Sequence, residues 1–183
     1  MSPTKIMLIR HAEKPIPDGA AGLDSNGNAD PESLSKTGWD RAKKLADFFS
    51  RPTARHVERP DFVFAAAPEV GSKRPAETVT PLVAALWPQA GRANHFNDAI
   101  RKEKVTALAS AIMAANGVVL VCWEHTLIHA AVAALPKGPA TPAKWPGGRF
   151  DVVWILKAKP GGWDFDQTPQ MLLATDQNSV IPL

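Results

Sequence analysis

The amino-acid sequence predicts an α/β fold: a sheet with helices on both faces, closed by an antiparallel hairpin. Three observations carry that expectation. Short apolar runs at 6–9, 61–67, 118–123 and 151–157 have the length and composition of buried strands. The segments between the first three repeat apolar residues at helical spacing. The chain closes with two runs joined by Lys159-Pro160-Gly161-Gly162, a turn signature. Strands alternating with helices make a sheet covered on both sides. A length of 183 residues suits one domain, 1–183, large enough to bury a substantial core.

The first strand lies in KIMLIRHAEK, where the apolar run Ile6 to Ile9 stops at Arg10-His11. Successive side chains of a strand point to opposite faces, so one of this pair belongs in the core unless the chain turns there. A turn would let both groups face a cleft. Residues 15–35, rich in Pro, Gly, Asp and Asn, form a loop of the length used for lids and binding loops. A helix follows from Thr37, with Trp39, Ala42, Leu45, Ala46 and Phe49 on one face and Ser35 or Thr37 as its cap. DFVFAAA at 61–67 is the second strand, ended by Pro68. A Gly-Ser loop then enters a helix near Pro75, a favoured first-turn residue. Asn97 or Asp98 is expected to cap a third helix that carries Ile100, Leu108, Ile112 and Met113 and ends at Gly117. VVLVCW at 118–123 is a fully buried strand, followed by a helix over 126–135 and a Pro/Gly-rich loop at 136–148. DVVWILK and WDFDQTPQMLL form the closing hairpin.

A formal charge of +3 and a pI near 9.1 suit a small anionic substrate. The basic residues form no run or periodic stripe, which argues against a nucleic-acid partner. Cys122 is the single cysteine, so no internal disulfide framework exists, and its place in GVVLVCW marks a buried structural thiol. The stretch before Arg10 is too short for a signal-peptide core, and no segment approaches the ~18 apolar residues of a membrane span. A cytoplasmic protein without a membrane partner is expected. Its oligomeric state is not legible.

In open α/β sheets, ligands collect beyond the carboxyl ends of the parallel strands. Three strand ends here carry chemistry: Arg10 and His11 after the first, Ser72, Lys73 and Arg74 after the second, Trp123-Glu124-His125 after the third. Two arginines and two histidines in one crevice fit a phosphoryl group. A guanidinium bonds two phosphate oxygens and keeps its charge at any working pH. A neutral imidazole can attack phosphorus and hold it as a phosphohistidine. The second imidazole can donate to the equatorial oxygens, where transition-state charge is spread. With that much positive charge no metal and no cofactor is required.

RHAEK, LSKTGWDRAKKLA, SKRPAETV and VLVCWEH, in this order, resemble the histidine phosphatase superfamily, the phosphoglycerate-mutase-like proteins, over residues 5 to about 157. The resemblance implies a three-layer α/β/α sandwich around a mostly parallel mixed sheet of about six strands. It implies His11 as the phosphorylated nucleophile, Arg10 and Arg74 as phosphate-binding arginines and His125 as the second pocket histidine. Ser72, beside Arg74, is a further substrate-binding candidate. The compact size resembles the small phosphatase branch, and the segments with which mutases surround a bisphosphate are not visible.

Three departures bear on the chemistry. Ala12 stands where the family usually has Gly, and Trp123-Glu124 where the late histidine usually follows a Gly. Thr126 replaces the Asp that serves the acid-phosphatase branch as general acid. Glu124, Asp98 and Glu13 are therefore the candidates for an acid or a pocket wall, with Glu103 also in the region from which mutases take theirs. Glu13 suits a positioning role, and Glu124 sits among groups that bind phosphate. The expected function is metal-independent hydrolysis of a phosphomonoester or phosphoramidate, on a small molecule or a phosphoprotein. The alternative is a non-catalytic phosphate-binding module of the same fold. A metal site built from His11, Glu13 and His125 is disfavoured, because the flanking arginines repel a cation.

Overall fold

The computed structural model describes all residues except Met1, Pro17, Asp18, Ala20, Val70, Ser72, Gln89 and Ala90. Its centre is a six-stranded sheet built from β1 (Pro3–Arg10), β2 (Phe62–Ala66), β3 (Phe96–Ile100), β4 (Gly117–Trp123), β5 (Val152–Lys159) and β6 (Gly162–Pro169), in the order β3-β2-β4-β1-β5-β6. The first four strands in that order run parallel. β5 lies antiparallel to β1, and β6 antiparallel to β5, which gives the C-terminal hairpin. The helices are α1 (Lys36–Ser50), α2 (Arg74–Leu86), α3 (Val105–Ala114) and α4 (His125–Ala133).

Strand alternation sorts the core into two halves. Ile6 and Leu8 of β1, Val119, Val121 and Trp123 of β4 and Trp154 of β5 face Leu108 and Ile112 of α3 and Ile128 and Val132 of α4. Met7, Ile9, Leu120, Cys122, Val153 and Ile155 face the other way, onto Leu45 and Phe49 of α1 and Val79, Leu82 and Val83 of α2. Both faces are apolar, so the central strands read as unbroken hydrophobic runs. The result is the expected three-layer α/β/α arrangement. Cys122 is fully buried, and burial pushes its thiol well above the ordinary range.

Two boundaries differ from the sequence expectation. Phe96–Ile100 is an edge strand, not the start of a helix, and α3 begins only at Val105. β3 is only partly buried and carries Asn97 and Asp98, so it lacks the apolar run of a central strand; its conformation comes from pairing with β2. The Asn97 side chain, which suggests a helix cap, accepts from the Ala99 amide at 2.9 Å within the strand. Gly117 does not close α3: it opens β4 at φ 74°, a left-handed conformation that glycine tolerates.

Residues 21–35 are more ordered than a bare loop. Gly22 and Leu23 bridge to Ser35 and Ala29, and the Trp39 indole donates to the Leu23 carbonyl at 2.7 Å. Ser35 caps α1, its hydroxyl accepting from the Gly38 amide at 3.1 Å. Gly38, the glycine of LSKTGWDRA, lets α1 approach the chain after β1: a Cβ there would collide with the Glu13 carbonyl oxygen.

Candidate active site

β1 and β4 lie side by side with Arg10 opposite Trp123, so their carboxyl ends open into one crevice. The His11 amide still donates to the Trp123 carbonyl at 3.1 Å, and the chain then leaves the sheet. Both members of the Arg10-His11 pair thus line a single pocket of about 200 Å³, together with Arg74, Lys102, Glu124 and His125. α2 begins at Arg74 and α4 at His125, so the positive ends of two helices meet at this pocket.

Arg10 is buried, and the loop after α4 fixes its direction. One terminal nitrogen donates to the Gly147 carbonyl and, at 3.3 Å, to that of Arg149; the guanidinium carbon sits 3.9 Å from the centre of the Phe150 ring. Burial lowers its pKa to about 10, which leaves it charged at neutral pH. Arg74 is held from the opposite side. Its guanidinium donates to the Glu32 carbonyl at 3.0 Å, while Lys73 pairs with Asp30 at 2.7 Å. The Glu77 carboxylate accepts from the Ser33 hydroxyl at 2.6 Å and the Leu34 amide at 3.0 Å. The segment 30–34 is therefore fastened to the start of α2, beside the pocket.

His11 Nδ1 lies 2.7 Å from the Ala12 carbonyl oxygen. A carbonyl only accepts, so Nδ1 carries the proton and Nε2 keeps its lone pair. Burial first, then the charges of Arg10, Arg74 and His125, lower the imidazole pKa to about 3. His125 is also shifted down, mainly by burial and then by Arg10, although Glu124 pulls it up. Desolvation and the Arg10 charge outweigh the Glu124 carboxylate. Glu124 Oε1 stands 2.7 Å from His125 Nδ1 but out of hydrogen-bond line, and its other oxygen accepts from the Thr126 hydroxyl. Arg10 Nε and His125 Nδ1 are two of the three buried side-chain polar atoms without a hydrogen-bond partner among the described residues. Both atoms belong to residues that line the pocket, and the nearest polar group to His125 Nδ1 is the Glu124 carboxylate.

The structure brings Arg10, His11, Arg74, Glu124 and His125 together. Ser72 lies outside the described residues. Asp98 stands on β3 and Glu103 in the turn after it; neither lines the pocket. Glu13 borders the neighbouring cleft, and its carboxylate is taken up by Arg41 at 2.7 Å, so its contact is structural. Two lysines escape the sequence reading. Lys14 stands three residues past His11 and lines the pocket. Lys102 is in the turn after β3, where its carbonyl accepts from the Trp123 indole at 3.0 Å. Recognising β3 as a fourth parallel strand would have pointed to Lys102, because that strand also ends at this edge of the sheet.

No model of a known protein family and no curated protein sequence matches the chain. Among solved structures, it is similar to a protein provisionally described as the phosphohistidine phosphatase SixA, from Agrobacterium tumefaciens. The TM-score is 0.52 at 20% identity, over 90% of this chain and 97% of the other. The open reading frame Rv3214 product of Mycobacterium tuberculosis also matches, at TM-score 0.44 and 16% identity, over 88% of this chain and 95% of that one. The first likeness establishes the fold: this chain has the phosphoglycerate-mutase-like α/β fold.

Proposed function

We propose that this protein is a metal-independent phosphatase that hydrolyses a phosphomonoester or phosphoramidate through a phosphohistidine on His11. The observation that carries this reading is the state of His11. Its Nδ1 proton is committed to the Ala12 carbonyl, its Nε2 lone pair is free, and its pKa of about 3 keeps it neutral, in a pocket walled by Arg10, Arg74 and His125. A neutral imidazole beside two guanidiniums is a nucleophile placed where phosphate oxygens bind.

Nε2 attacks phosphorus, and the bond to the leaving group breaks opposite it, the electron pair leaving with that group. A weakly basic leaving group departs as the anion and takes its proton from water. Arg10 and Arg74 bind the equatorial oxygens, and His125 donates to them. Water then attacks the phosphohistidine, the P–N bond breaks, and inorganic phosphate and neutral His11 are restored. Glu124 is placed to tune His125, or to protonate a more basic leaving group. Lys14 and Lys102 add positive charge at the mouth. The same cationic surroundings, and the tie between Glu13 and Arg41, disfavour a metal bound by His11, Glu13 and His125. The description of SixA, which shares the fold, supports the same class of reaction.

The test is turnover of an activated aryl phosphate with chelator present, together with rapid quench for an acid-labile phosphoryl label. Wild type should show both, and His11→Ala should lose both while keeping its circular-dichroism spectrum, since His11 lies just past β1 and lines the pocket, outside the apolar core. Near wild-type turnover in His11→Ala would remove the nucleophile assignment. The second reading, a phosphate-binding module without turnover, is favoured by the Glu124 carboxylate in the pocket and predicts vanadate binding with no label and no product.

A further inference from the structure

Next to the phosphate pocket lies a second cleft of about 340 Å³, within the range of small-molecule sites. Lys14 lines both, and Phe150, which carries Arg10 on its ring, forms a wall of the second. The cleft is mostly apolar: Ile16, Phe150 and the backbone of Gly147 and Gly148 make its sides, and Thr37 its edge. Of the two charged groups among its described lining residues, Lys14 and Glu13, the second is paired with the buried Arg41. Ile16 is 65% exposed at the rim, a large side chain that gains nothing from folding where it stands.

We infer that this cleft receives the leaving group of the substrate, and that the preferred substrate is a small phosphate ester of an uncharged aryl alcohol. This rests on the phosphatase reading of the adjoining pocket. The observations carry it in order. The cleft adjoins the phosphate pocket: Lys14 lines both, and Phe150, a wall of the cleft, lies against Arg10 and near the His11 ring, so a group bonded to phosphorus on His11 has the cleft beside it. Its described lining offers few free partners for the several hydroxyls of a sugar phosphate, since the Ser35 hydroxyl is engaged with the Glu13 carbonyl and the Gly38 amide, and buried polar groups without partners cost binding. An aromatic ring instead gains contact with Ile16 and Phe150.

Gly148 supplies a clean test, because a Cβ there meets no atom within 4 Å and the residue is exposed. Gly148→Trp therefore places a large ring at the wall of the cleft, where it narrows the space, without forcing the backbone. 1-Naphthyl phosphate, which needs the cleft, is compared with acetyl phosphate, which does not. The substitution should lower kcat/KM for the naphthyl ester by about tenfold or more relative to acetyl phosphate, the scale on which a hydrophobic pocket discriminates. Ile16→Ser should shift the same ratio in the same direction through KM. An unchanged ratio in both variants, or equal losses on both substrates, would overturn the proposal. Calorimetry separates this from the phosphatase reading. 1-Naphthyl phosphate should bind wild type more tightly than inorganic phosphate, and Gly148→Trp should erase the difference. If wild type turns over neither ester yet that difference is present, the phosphatase reading fails and the cleft assignment stands; equal affinities in wild type end the cleft assignment.

Discussion

His11 and His125 sit within one pocket, yet the proposed reaction asks for different protonation states. His11 must be neutral to attack, and its pKa of about 3 keeps it so across the neutral range. The acid limb of kcat/KM should therefore not fall at the ordinary imidazole value. His125 is the better donor when charged; burial and Arg10 push its pKa down and Glu124 pulls it up. Glu124→Gln removes the upward pull, so His125 loses its proton at lower pH. Activity on an aryl phosphate should then decline earlier as pH rises. Loss confined to alkyl phosphates, with the aryl profile intact, would instead identify Glu124 as the proton donor to basic leaving groups. Arg74 poses a simpler question. Arg74→Ala should weaken vanadate or phosphate binding by about 1.5–3 kcal/mol, the value of a hydrogen bond to a charged group. Arg74→Lys should recover only part, lacking the bidentate fork. Equal affinity in all three proteins, measured by competitive inhibition, would take Arg74 out of the pocket.

At the level of elements, α2 does more than cover the sheet. Thr78, in its second turn, donates to the Arg74 carbonyl at 2.7 Å and accepts from the Ala12 amide at 2.8 Å. One buried hydroxyl thus joins the helix that begins with Arg74 to the segment that carries His11. Thr78→Val keeps the shape but leaves the Ala12 N–H buried without an acceptor, at a cost of about 1–3 kcal/mol. It should also lower kcat, because Ala12 holds the His11 tautomer through its carbonyl. Thr78→Ser should restore both. Urea denaturation and steady-state kinetics on the same three proteins check this, and a Val variant with wild-type kcat would show that the link is only structural.

Across the whole molecule, the buried Arg41 of α1 ties distant segments together. It meets Glu13 at 2.7 Å, Asp176 at 2.6 Å and Gln170 at 2.9 Å, while Asp176 also accepts from the Leu172 and Leu173 amides. The chain after β6 is thereby fastened to the segment that follows His11. Arg41 and Asp176 are almost wholly enclosed, with side chains 2% and 1% exposed. Arg41→Met should therefore destabilise by about 3–5 kcal/mol, since it strands two carboxylates facing each other away from water. Denaturant midpoints give the measurement; a loss under 1 kcal/mol would mean that water replaces the guanidinium. Among the described residues, no helix is long and apolar enough to cross a membrane.

The sequence by itself determined the central strands, the four helices and most of the candidate pocket. Those features are encoded locally: an apolar run is a buried strand wherever it occurs, and Arg10-His11, Arg74 and Glu124-His125 each stand where a strand or its following loop gives way to the next segment. Tertiary structure decided the rest. β3 takes its conformation from the backbone of β2, so five mixed residues with an Asn near the start read as a helix cap until a neighbour pairs with them. Lys102 carries no periodic signal and enters the pocket only because β3 ends there. Glu13 could have been an acid, but its fate rests on Arg41, 28 positions along the chain. The His11 tautomer follows from one carbonyl 2.7 Å away. Each of these depends on what lies opposite a residue in space, which its neighbours in the chain do not specify.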